Sequence, residues 1–573
     1  MVQETTPSRP ADALAPQAWI HHPDRPLSGA PAGALAGLRF AVKDNIDVAG
    51  WPTTAACPAF AYKPEAHASV VRRLLEAGAS VTGKTNLDQF ACGLSGTRSP
   101  YGAVPNAINP LYVSGGSSSG SAYVVATGQV DFALGTDTAG SGRVPAGLNN
   151  IVGLKPSRGL ISAHGVVPAA QAVDCVSIFA PTVAGAARVL AAAMGHDPAD
   201  PYSRHVAMET APLGSRFRFG VPASLEFFGD EAARKAFDDA LVQLKALGGE
   251  AVPLDFAALS ACADMLYGSA LVAQRHEAIR NFFDVHELEV IEPVRSIIAS
   301  GRAYSASDLV AAQTRLAELG QQAQALWQDI DLLVVPTAPT HHTIARMQAD
   351  PVVLNRQLGA YTNFVNLLDY AALSVPASIR PDGLPFGITL IGRCGSDWQI
   401  AELGQRFHHA TGLTQGATGL PLPAPQPIPG LASANVPTVR VAVVGAHLSG
   451  MPLNGQLTER GASLAARTHT AAQYRLYALP RTTPPKPGLL RVAPGAGERI
   501  EVEVWDMPLA QYGSFVALVP QPLSIGTLTL DDGSTVQGFL CEPLALEGAT
   551  DITHLGGWRA YIGSLRAAPV ATT

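Results

Sequence analysis

Closely spaced prolines divide this chain of 573 residues into two stretches of different character. Proline has no backbone N–H to donate and favours extended chain, so a segment rich in it does not continue a helix or a central strand. We therefore predict a linker at residues 411–437, between a first domain at residues 1–410 and a second domain at residues 438–573. The prolines of this segment are Pro421, Pro423, Pro425, Pro427, Pro429 and Pro437.

The first domain alternates between apolar runs typical of strands and alanine-rich segments with helical spacing. Residues 38–42, 79–82 and 331–336 have the composition of buried strands. Residues 69–77 have helical spacing and are followed by Gly78, a residue type that commonly ends helices. This alternation predicts an α/β domain in which helices cover a mixed, mostly buried β-sheet.

The second domain is predicted to be small and β-rich. The runs at residues 441–444, 474–477, 500–505 and 526–530 favour strands. The sequence Asp-Asp-Gly at residues 531–533 is typical of the turn in a β-hairpin.

Composition and charge exclude several classes of protein. Hydrophobic residues make up 47% and charged residues 15% of the chain, which predicts a globular core. The net charge of −7 offers no basic surface for nucleic acid or an anionic membrane. The six cysteines form no C-x-x-C pair, so neither a zinc site nor a disulfide framework is predicted. We find no signal peptide and no apolar run of about 18 residues, and predict a cytoplasmic protein.

A glycine- and serine-rich block, SGGSSSGS at residues 114–121, carries the first chemical signal. Such blocks are commonly flexible loops, but this one precedes a helix-like run at residues 122–126 and a strand-like run at residues 130–134. It also fits G-x-S-x-G with Ser118 as nucleophile, although no strong strand comes before it. A P-loop is excluded because no Gly-Lys-Ser/Thr follows.

Four motifs together resemble the amidase signature family over roughly residues 30–410. They are AVKD at residues 41–44, GGSS at residues 115–118, DTAGSGRVP at residues 137–145 and GLKP at residues 153–156. The resemblance implies hydrolysis of a linear amide by a Ser–cis-Ser–Lys triad, with no metal and no cofactor. The family usually has Gly-Gly-Ser at the nucleophile, where this chain has Ala-Gly-Ser at residues 139–141.

The resemblance assigns a role to each residue of the triad. Ser141 is expected to be the nucleophile, Ser117 the bridging serine on a cis peptide and Lys43 the base. The backbone N–H groups of Thr138, Ala139, Gly140 and Ser141 are suited to an oxyanion hole.

Lys43 must be neutral to act as a base, so the pKa of its amine must lie far below the usual value of about 10.4. Burial beside hydroxyl groups can lower that pKa. Asp44 and Asp47 would oppose the shift, so we expect both side chains to point away from Lys43.

LYGSALVAQRH at residues 266–276 resembles the allophanate hydrolase branch of the family. In that branch a tyrosine and an arginine at this spacing hold the substrate carboxylate, which implies roles for Tyr267 and Arg275. On an ideal helix the two side chains would differ by roughly 80° in direction and about 12 Å in rise, so a bend is needed, for which Gly268 is a candidate. The alternative is an exposed Arg275 paired with Glu277.

Residues 438–565 are similar to the C-terminal domain of allophanate hydrolases, which in turn looks like the small barrel of γ-glutamylcyclotransferases. VAVVGAHLSGMPLN at residues 441–454 and YRLYAL at residues 474–479 carry this likeness. The family scheme implies that this domain processes N-carboxycarbamate, with His447 as the candidate residue. The alternatives are a structural histidine and a domain that serves assembly. No glutamate in a recognisable cyclotransferase context is present, so cyclotransferase activity is not expected.

The resemblances together predict an enzyme of urea degradation and nitrogen metabolism that hydrolyses allophanate to ammonia and carbon dioxide. A homodimer and a functional link to a separate urea carboxylase are expected. Two alternatives stay open: hydrolysis of another small carboxylate-bearing amide, such as a malonamate-like substrate, and a non-catalytic subunit for ammonia transfer or assembly.

Overall fold

The computed structural model describes residues 14–431, 438–480, 482 and 485–567. The chain divides into two compact units, one that ends at Leu431 and one that starts at Ala432. Most of the segment predicted as a linker therefore belongs to the first unit. The Gly416 N–H donates to Asn150 O (3.1 Å), and Gln405 Nε2 donates to Gln426 O (2.8 Å). Extended, proline-rich chain is here bonded along a domain surface instead of spanning a gap, while residues 432–437 lie outside the described residues.

An eleven-stranded sheet forms the centre of the first unit, in the order β1-β3-β2-β4-β6-β5-β10-β11-β9-β7-β8. Strand β2 pairs in parallel with β3 and β4, and β7 pairs in parallel with β8 and β9, whereas the other neighbours are antiparallel. The strands are β1 (Trp19–His21), β2 (Arg39–Lys43), β3 (Ser80–Thr85), β4 (Phe132–Asp137), β5 (Val152–Lys155), β6 (Cys175–Ala180), β7 (Phe217–Pro222), β8 (Gly249–Leu254), β9 (Leu332–Pro336), β10 (Ala371–Ile379) and β11 (Pro385–Gly392).

Helices pack around this sheet, and the predicted mixed α/β fold is confirmed. Helix α1 shows why its sequence is helical: Val70, Val71 and Leu74 are buried on one face, and Gly78 follows its end with φ +95°. The helices of this unit are α1 (Ser69–Glu76), α2 (Ser119–Ala126), α3 (Val144–Leu148), α4 (Val183–Ala193), α5 (Glu231–Ala246), α6 (Ala257–Gly268), α7 (Ala273–His286), α8 (Val294–Ser300), α9 (Ala306–Gln324), α10 (Ile344–Ala349), α11 (Val353–Leu358), α12 (Phe364–Leu367) and α13 (Asp397–Ala410).

Two neighbouring parallel strands place the polar residues of the first unit. Lys43 is the last residue of β2, and Asp137 is the last residue of β4. Because the strands are parallel, their carboxyl ends lie at the same edge of the sheet, where ligands commonly bind in open α/β folds. Helix α2 starts two residues after Ser117, and its residues are all buried, so it packs as a core helix.

The second unit is β-rich, as predicted, and contains a five-stranded and a three-stranded sheet. Residues 531–533 form the turn of the antiparallel hairpin between its strands at 523–529 and 535–541. Its strands are β12 (Thr438–Val443), β13 (Ser463–His469), β14 (Tyr474–Ala478), β15 (Pro487–Arg491), β16 (Glu501–Pro508), β17 (Leu523–Thr529), β18 (Thr535–Cys541) and β19 (Thr550–Asp551). Its helices are α14 (Gly455–Thr458), α15 (Leu509–Val516) and α16 (Trp558–Ala567).

In the described parts of both units, no helix combines the length and the apolar character needed to cross a bilayer.

Candidate active site

Lys43 lies at the centre of a buried group of hydroxyls. Its side chain is fully buried, and Nζ donates to Ser117 Oγ and to Thr136 Oγ1, each at 2.7 Å. Ser117 follows a cis peptide bond between Gly116 and Ser117. The structure thus brings together the lysine and the first serine that the sequence identified.

Burial lowers the pKa of Lys43 to about 7, while the carboxylates of Asp88, Asp174 and Asp137 act in the opposite direction. Asp44 pairs with Lys84 (Oδ1 to Nζ, 3.2 Å). The Asp47 carboxylate accepts from Thr53 and Tyr62. Both of these aspartates, which neighbour Lys43 in sequence, are thus bonded elsewhere. An amine with this pKa is a usable base near neutral pH.

Ser118, the nucleophile of the alternative G-x-S-x-G interpretation, has a structural role. Its Oγ donates to Thr136 O (3.2 Å) and accepts from Thr136 N–H (3.3 Å). These bonds attach the start of helix α2 to strand β4. The hydroxyl is therefore occupied on both its donor and its acceptor side.

Ser141 lies in the turn after β4 and is buried. Its Oγ donates to Gly93 O at 3.4 Å. The same segment, through Leu94 O, accepts the Gly116 N–H at 2.7 Å. The backbone at residues 93–94 therefore bonds both to Ser141 and to the residue that precedes Ser117. In this structure Ser141 Oγ bonds to Gly93 O and not to Ser117.

A buried ion pair fixes the turn that carries Ser141. Arg143 Nε and Nη2 donate to the two oxygens of Asp137, each at 2.9 Å, and both side chains are fully buried. Arg143 also donates to Thr362 O (3.2 Å) and Asn366 Oδ1 (3.1 Å). A planar guanidinium held at this many points gives the turn a single geometry.

One of the four predicted oxyanion donors is not available. The Gly140 N–H donates to Asp137 Oδ1 at 2.9 Å, because the carboxylate folds back over the turn. The prediction for Gly140 is therefore corrected. Within the described residues, the N–H groups of Thr138, Ala139 and Ser141 have no protein acceptor, so these three can still donate to a developing oxyanion.

Tyr267 and Arg275 contact each other, as the sequence required of a shared site. Arg275 Nη2 donates to Tyr267 Oη (2.9 Å), and the guanidinium lies 4.9 Å from the centre of the tyrosine ring. Helix α6 ends at Gly268, and Ser269 is extended before α7 begins, so the bend lies where it was expected. Arg275 is 4% exposed and not paired with Glu277, which pairs with Arg280 instead.

Arg275 has unsatisfied hydrogen-bonding capacity. Its Nε and Nη1 are buried and have no hydrogen-bond partner among the residues that the structure describes. Unpaired buried donors on a charged group are costly, so these two nitrogens are suited to an acceptor that the protein itself does not supply. A cavity of about 510 Å³ lies against Tyr267 and is also lined by Leu94, Arg98, Gly359 and Asn363.

His447 lies in the second unit, in the loop after β12. It lines a cavity of about 140 Å³ together with Gln456, Lys486, Phe515 and Phe539. Its ring stacks on Phe539 (5.1 Å between centres), and Nε2 lies 2.9 Å from Gln456 Oε1. Burial lowers the pKa of His447, so the neutral ring is favoured.

Sequence reasoning missed several residues that shape the first site. Thr136 Oγ1 accepts a hydrogen bond from Lys43 Nζ, as Ser117 Oγ does, and Thr362 Oγ1 donates to Ala139 O at 2.6 Å. Asn366 Nδ2 donates to Asp137 O at 2.7 Å. The position of Arg143 near Asp137 inside one motif was a usable signal, whereas Thr362 and Asn366 are too distant in sequence for any spacing rule.

Comparison with known proteins places this geometry in a family. Residues 9–400 match the amidase family, and residues 439–563 match the allophanate hydrolase C-terminal domain. Urea amidolyase of Saccharomyces cerevisiae is 44% identical over 93% of this chain, and so is urea amidolyase of Lachancea kluyveri. The chain spans only 30% of the length of each of these two proteins.

A solved structure agrees over nearly the whole chain. Allophanate hydrolase of Kluyveromyces lactis superimposes with a TM-score of 0.72 at 41% identity, over 96% of this chain and 94% of that one. The amidase match alone covers more than half of the chain. This protein therefore belongs to the amidase family and carries, after its amidase domain, an allophanate hydrolase C-terminal domain.

Proposed function

We propose that this protein hydrolyses allophanate, the carboxylate of urea, at its terminal carboxamide. The observation that carries this proposal is the buried pair of Tyr267 and Arg275, in which two nitrogens of the guanidinium have no partner among the described residues. A carboxylate is the ligand that a buried guanidinium prefers. The likeness to an allophanate hydrolase over nearly the whole chain supports the same substrate.

The first half of the reaction forms an acyl-enzyme. Ser141 Oγ turns from Gly93 O toward Ser117, and its proton passes through Ser117 Oγ to neutral Lys43. The Ser141 oxygen bonds to the carboxamide carbon, and the N–H groups of Thr138, Ala139 and Ser141 hold the resulting oxyanion. Charged Lys43 then returns the proton through Ser117 to the departing nitrogen, which leaves as ammonia.

The second half releases the acyl group. Water attacks the ester of Ser141, and its proton passes by the same route to Lys43 and then back to the serine oxygen. The product is N-carboxycarbamate, which bears two carboxylates after the new carboxyl group has released the second proton of the water. Each turnover therefore consumes one water and one amide and releases one ammonia.

We propose further that the second unit processes N-carboxycarbamate with His447. Loss of carbon dioxide from this product requires one proton, and the resulting carbamate takes up a second proton from solvent and decomposes to ammonia and a second carbon dioxide. The enclosed histidine beside Lys486 supports the role, since a cation favours an anionic ligand, and a bound dianion in turn favours the protonated histidine ring, which can donate the proton. A separate urea carboxylase would supply the allophanate, and a homodimer remains a prediction.

Replacement of Arg275 by Met tests the substrate assignment. Removing one partner of a buried charged contact costs about 2–5 kcal/mol, so kcat/KM for allophanate should fall roughly 30- to 4000-fold. A neutral amide of similar size should lose far less. Tyr267→Phe removes a single hydroxyl and serves as the matched control, with a smaller loss for allophanate. Equal losses for both substrates in the Arg275 variant would count against a carboxylate clamp.

A further inference from the structure

Asp88 is a fully buried carboxylate with no ion-pair partner in the part of the chain that the structure describes. Its oxygens accept three backbone N–H groups instead. Asp88 Oδ2 accepts from Ser95 (3.2 Å) and Gly96 (3.0 Å), and Oδ1 accepts from Arg98 (2.9 Å). Backbone donors of this kind stabilise the charged form of a carboxylate, and the charge of Asp88 acts on Lys43.

The Asp88 carboxylate packs closely against Gly93 and Gly116, whose backbones lie next to Ser141 and Ser117. A Cβ atom on Gly116 would lie 2.1 Å from Asp88 Oδ2, and one on Gly93 would lie 2.4 Å from it. Gly116 directly precedes Ser117, while Gly93 O accepts the Ser141 hydroxyl. The Asp88 N–H also donates to Ser117 O at 3.0 Å. One residue thus contacts the backbone beneath both serines.

The position of Asp88 also puts a negative charge close to Lys43. Lys43 Nζ is bonded to Ser117 Oγ at 2.7 Å, and Asp88 contacts the backbone on both sides of the Gly116–Ser117 peptide. Of the charged groups that face Lys43, Asp88 has the largest effect in raising its pKa, which burial lowers to about 7.

The other charged groups that face Lys43 are differently placed. Asp137 also raises the pKa of Lys43, but its charge is balanced by Arg143 at 2.9 Å. Asp174 accepts from Ala169 N–H (2.8 Å) and from a threonine hydroxyl, and Arg275 lowers the pKa of Lys43. Asp174 contacts the Ser141 turn alone, through the Thr138 hydroxyl, whereas Asp88 lies against the backbone next to both serines.

We propose that Asp88 is a positioning residue of the reaction, which holds the Gly93 and Gly116 backbones under the two serines and stabilises the ammonium form of Lys43 after proton transfer. This inference rests on the proposed function. The ammonium form exists whenever the Ser141 proton has moved to Lys43, so a nearby anion favours the state from which the leaving nitrogen is protonated. It also makes Lys43 a stronger base, which speeds removal of the serine proton.

The test is the pH dependence of Ser141 modification by a fluorophosphonate, compared between the wild-type protein and Asp88→Asn. In this reaction the serine oxygen bonds to phosphorus, fluoride leaves, and the serine proton goes to Lys43, so the rate rises with pH as Lys43 becomes neutral. Without the negative charge the midpoint should move to lower pH by about one unit or more. The limiting rate at high pH should fall, because Lys43 is then a weaker base.

Asp397→Asn is the matched control. Asp397 is also buried and accepts from Ser157 N–H (2.8 Å) and Ser157 Oγ (2.6 Å), but it is not among the charged groups with the largest effects on Lys43. Its replacement should leave the midpoint where it is in the wild-type protein.

An unchanged or higher midpoint in Asp88→Asn would overturn the proposal. If that variant does not fold, Asp88→Ser, which relieves the packing against both glycines, replaces it. Failure of both to fold would also overturn the proposal, since Asp88 would then serve the fold alone. Wild-type protein that is modified at Ser141 with the expected pH dependence but leaves allophanate intact would contradict the proposed function and not this inference.

Discussion

The Lys43 amine illustrates how burial converts an ordinary side chain into a base. Nζ contacts two hydroxyl groups, and no carboxylate pairs with it in the described part of the chain. Water is excluded, so the charged form loses hydration that hydroxyl groups only partly replace. This loss destabilises the ammonium form relative to the neutral amine, and it lowers the pKa of Lys43 to about 7.

This shift predicts the pH dependence of the reaction. Neutral Lys43 is the active form, so kcat/KM for allophanate should rise with pH through about 7 and level off above it. A rate that falls between pH 6 and pH 8 would contradict Lys43 as the base. Lys155→Met is the control, because this buried lysine donates to Pro156 O (2.7 Å) and not to a catalytic hydroxyl. The midpoint should not move in that variant.

Some of the site residues followed from sequence and others could not. Lys43, Ser117 and Arg275 stand in short motifs whose spacing matches a family pattern, and the structure brings Lys43 to Ser117. The loss of Gly140 as an oxyanion donor depends on how the Asp137 carboxylate folds over its own turn, which no motif encodes. Asp88 could not be recognised from the sequence for a similar reason. Its proposed role depends on contacts with Gly93 and Gly116, and glycines have no side chains from which such contacts could be predicted.

At the level of secondary-structure elements, the exact end of a helix decides which side chains meet, and sequence patterns do not give that end. The contact between Tyr267 and Arg275 requires α6 to end at Gly268, and ideal helix geometry alone predicts divergent side chains. Strands such as β2 and β9 were recognisable because a buried strand is a short apolar run. The order of strands in the sheet was not, since pairing across β4, β6 and β5 depends on contacts far apart in sequence.

The loop after β12 in the second unit has an equally defined geometry. Glu503 of β16 accepts from Ser449 N–H (2.7 Å) and Ser449 Oγ (2.9 Å), which fixes the loop that carries His447. Gln456 Oε1 can only accept, so the Nε2 atom of neutral His447 carries the proton.

His447→Ala should separate the two products in time. Ammonia release that depends on Ser141 should continue, while carbon dioxide release should lag behind it, because the proton donor for decarboxylation is gone. Simultaneous assays of ammonia and carbon dioxide check this prediction. Replacement of His554, an exposed histidine of the same unit, is the control. Wild-type timing of both products in the His447 variant would argue for a structural histidine.

At the level of the whole molecule, the proline-rich segment at residues 411–437 contains the division between the two units, but most of the segment belongs to the first unit. The first unit continues to Leu431, because residues after 411 bond along its surface. The two units also match different families, in keeping with the proposal that they perform successive steps on one small molecule. In the proposed function, amide cleavage takes place entirely within the first unit.

The most direct test of this proposal is ammonia release from allophanate by Ser141→Ala at pH 8. Without its nucleophile the enzyme should lose roughly 10³-fold or more of its rate, as in other enzymes whose nucleophilic serine has been removed. Ser118→Ala, which removes a hydroxyl bonded to the Thr136 backbone, should lose far less. Ammonia release near the wild-type rate in Ser141→Ala, or its abolition in Ser118→Ala alone, would contradict the assignment of Ser141 as the nucleophile.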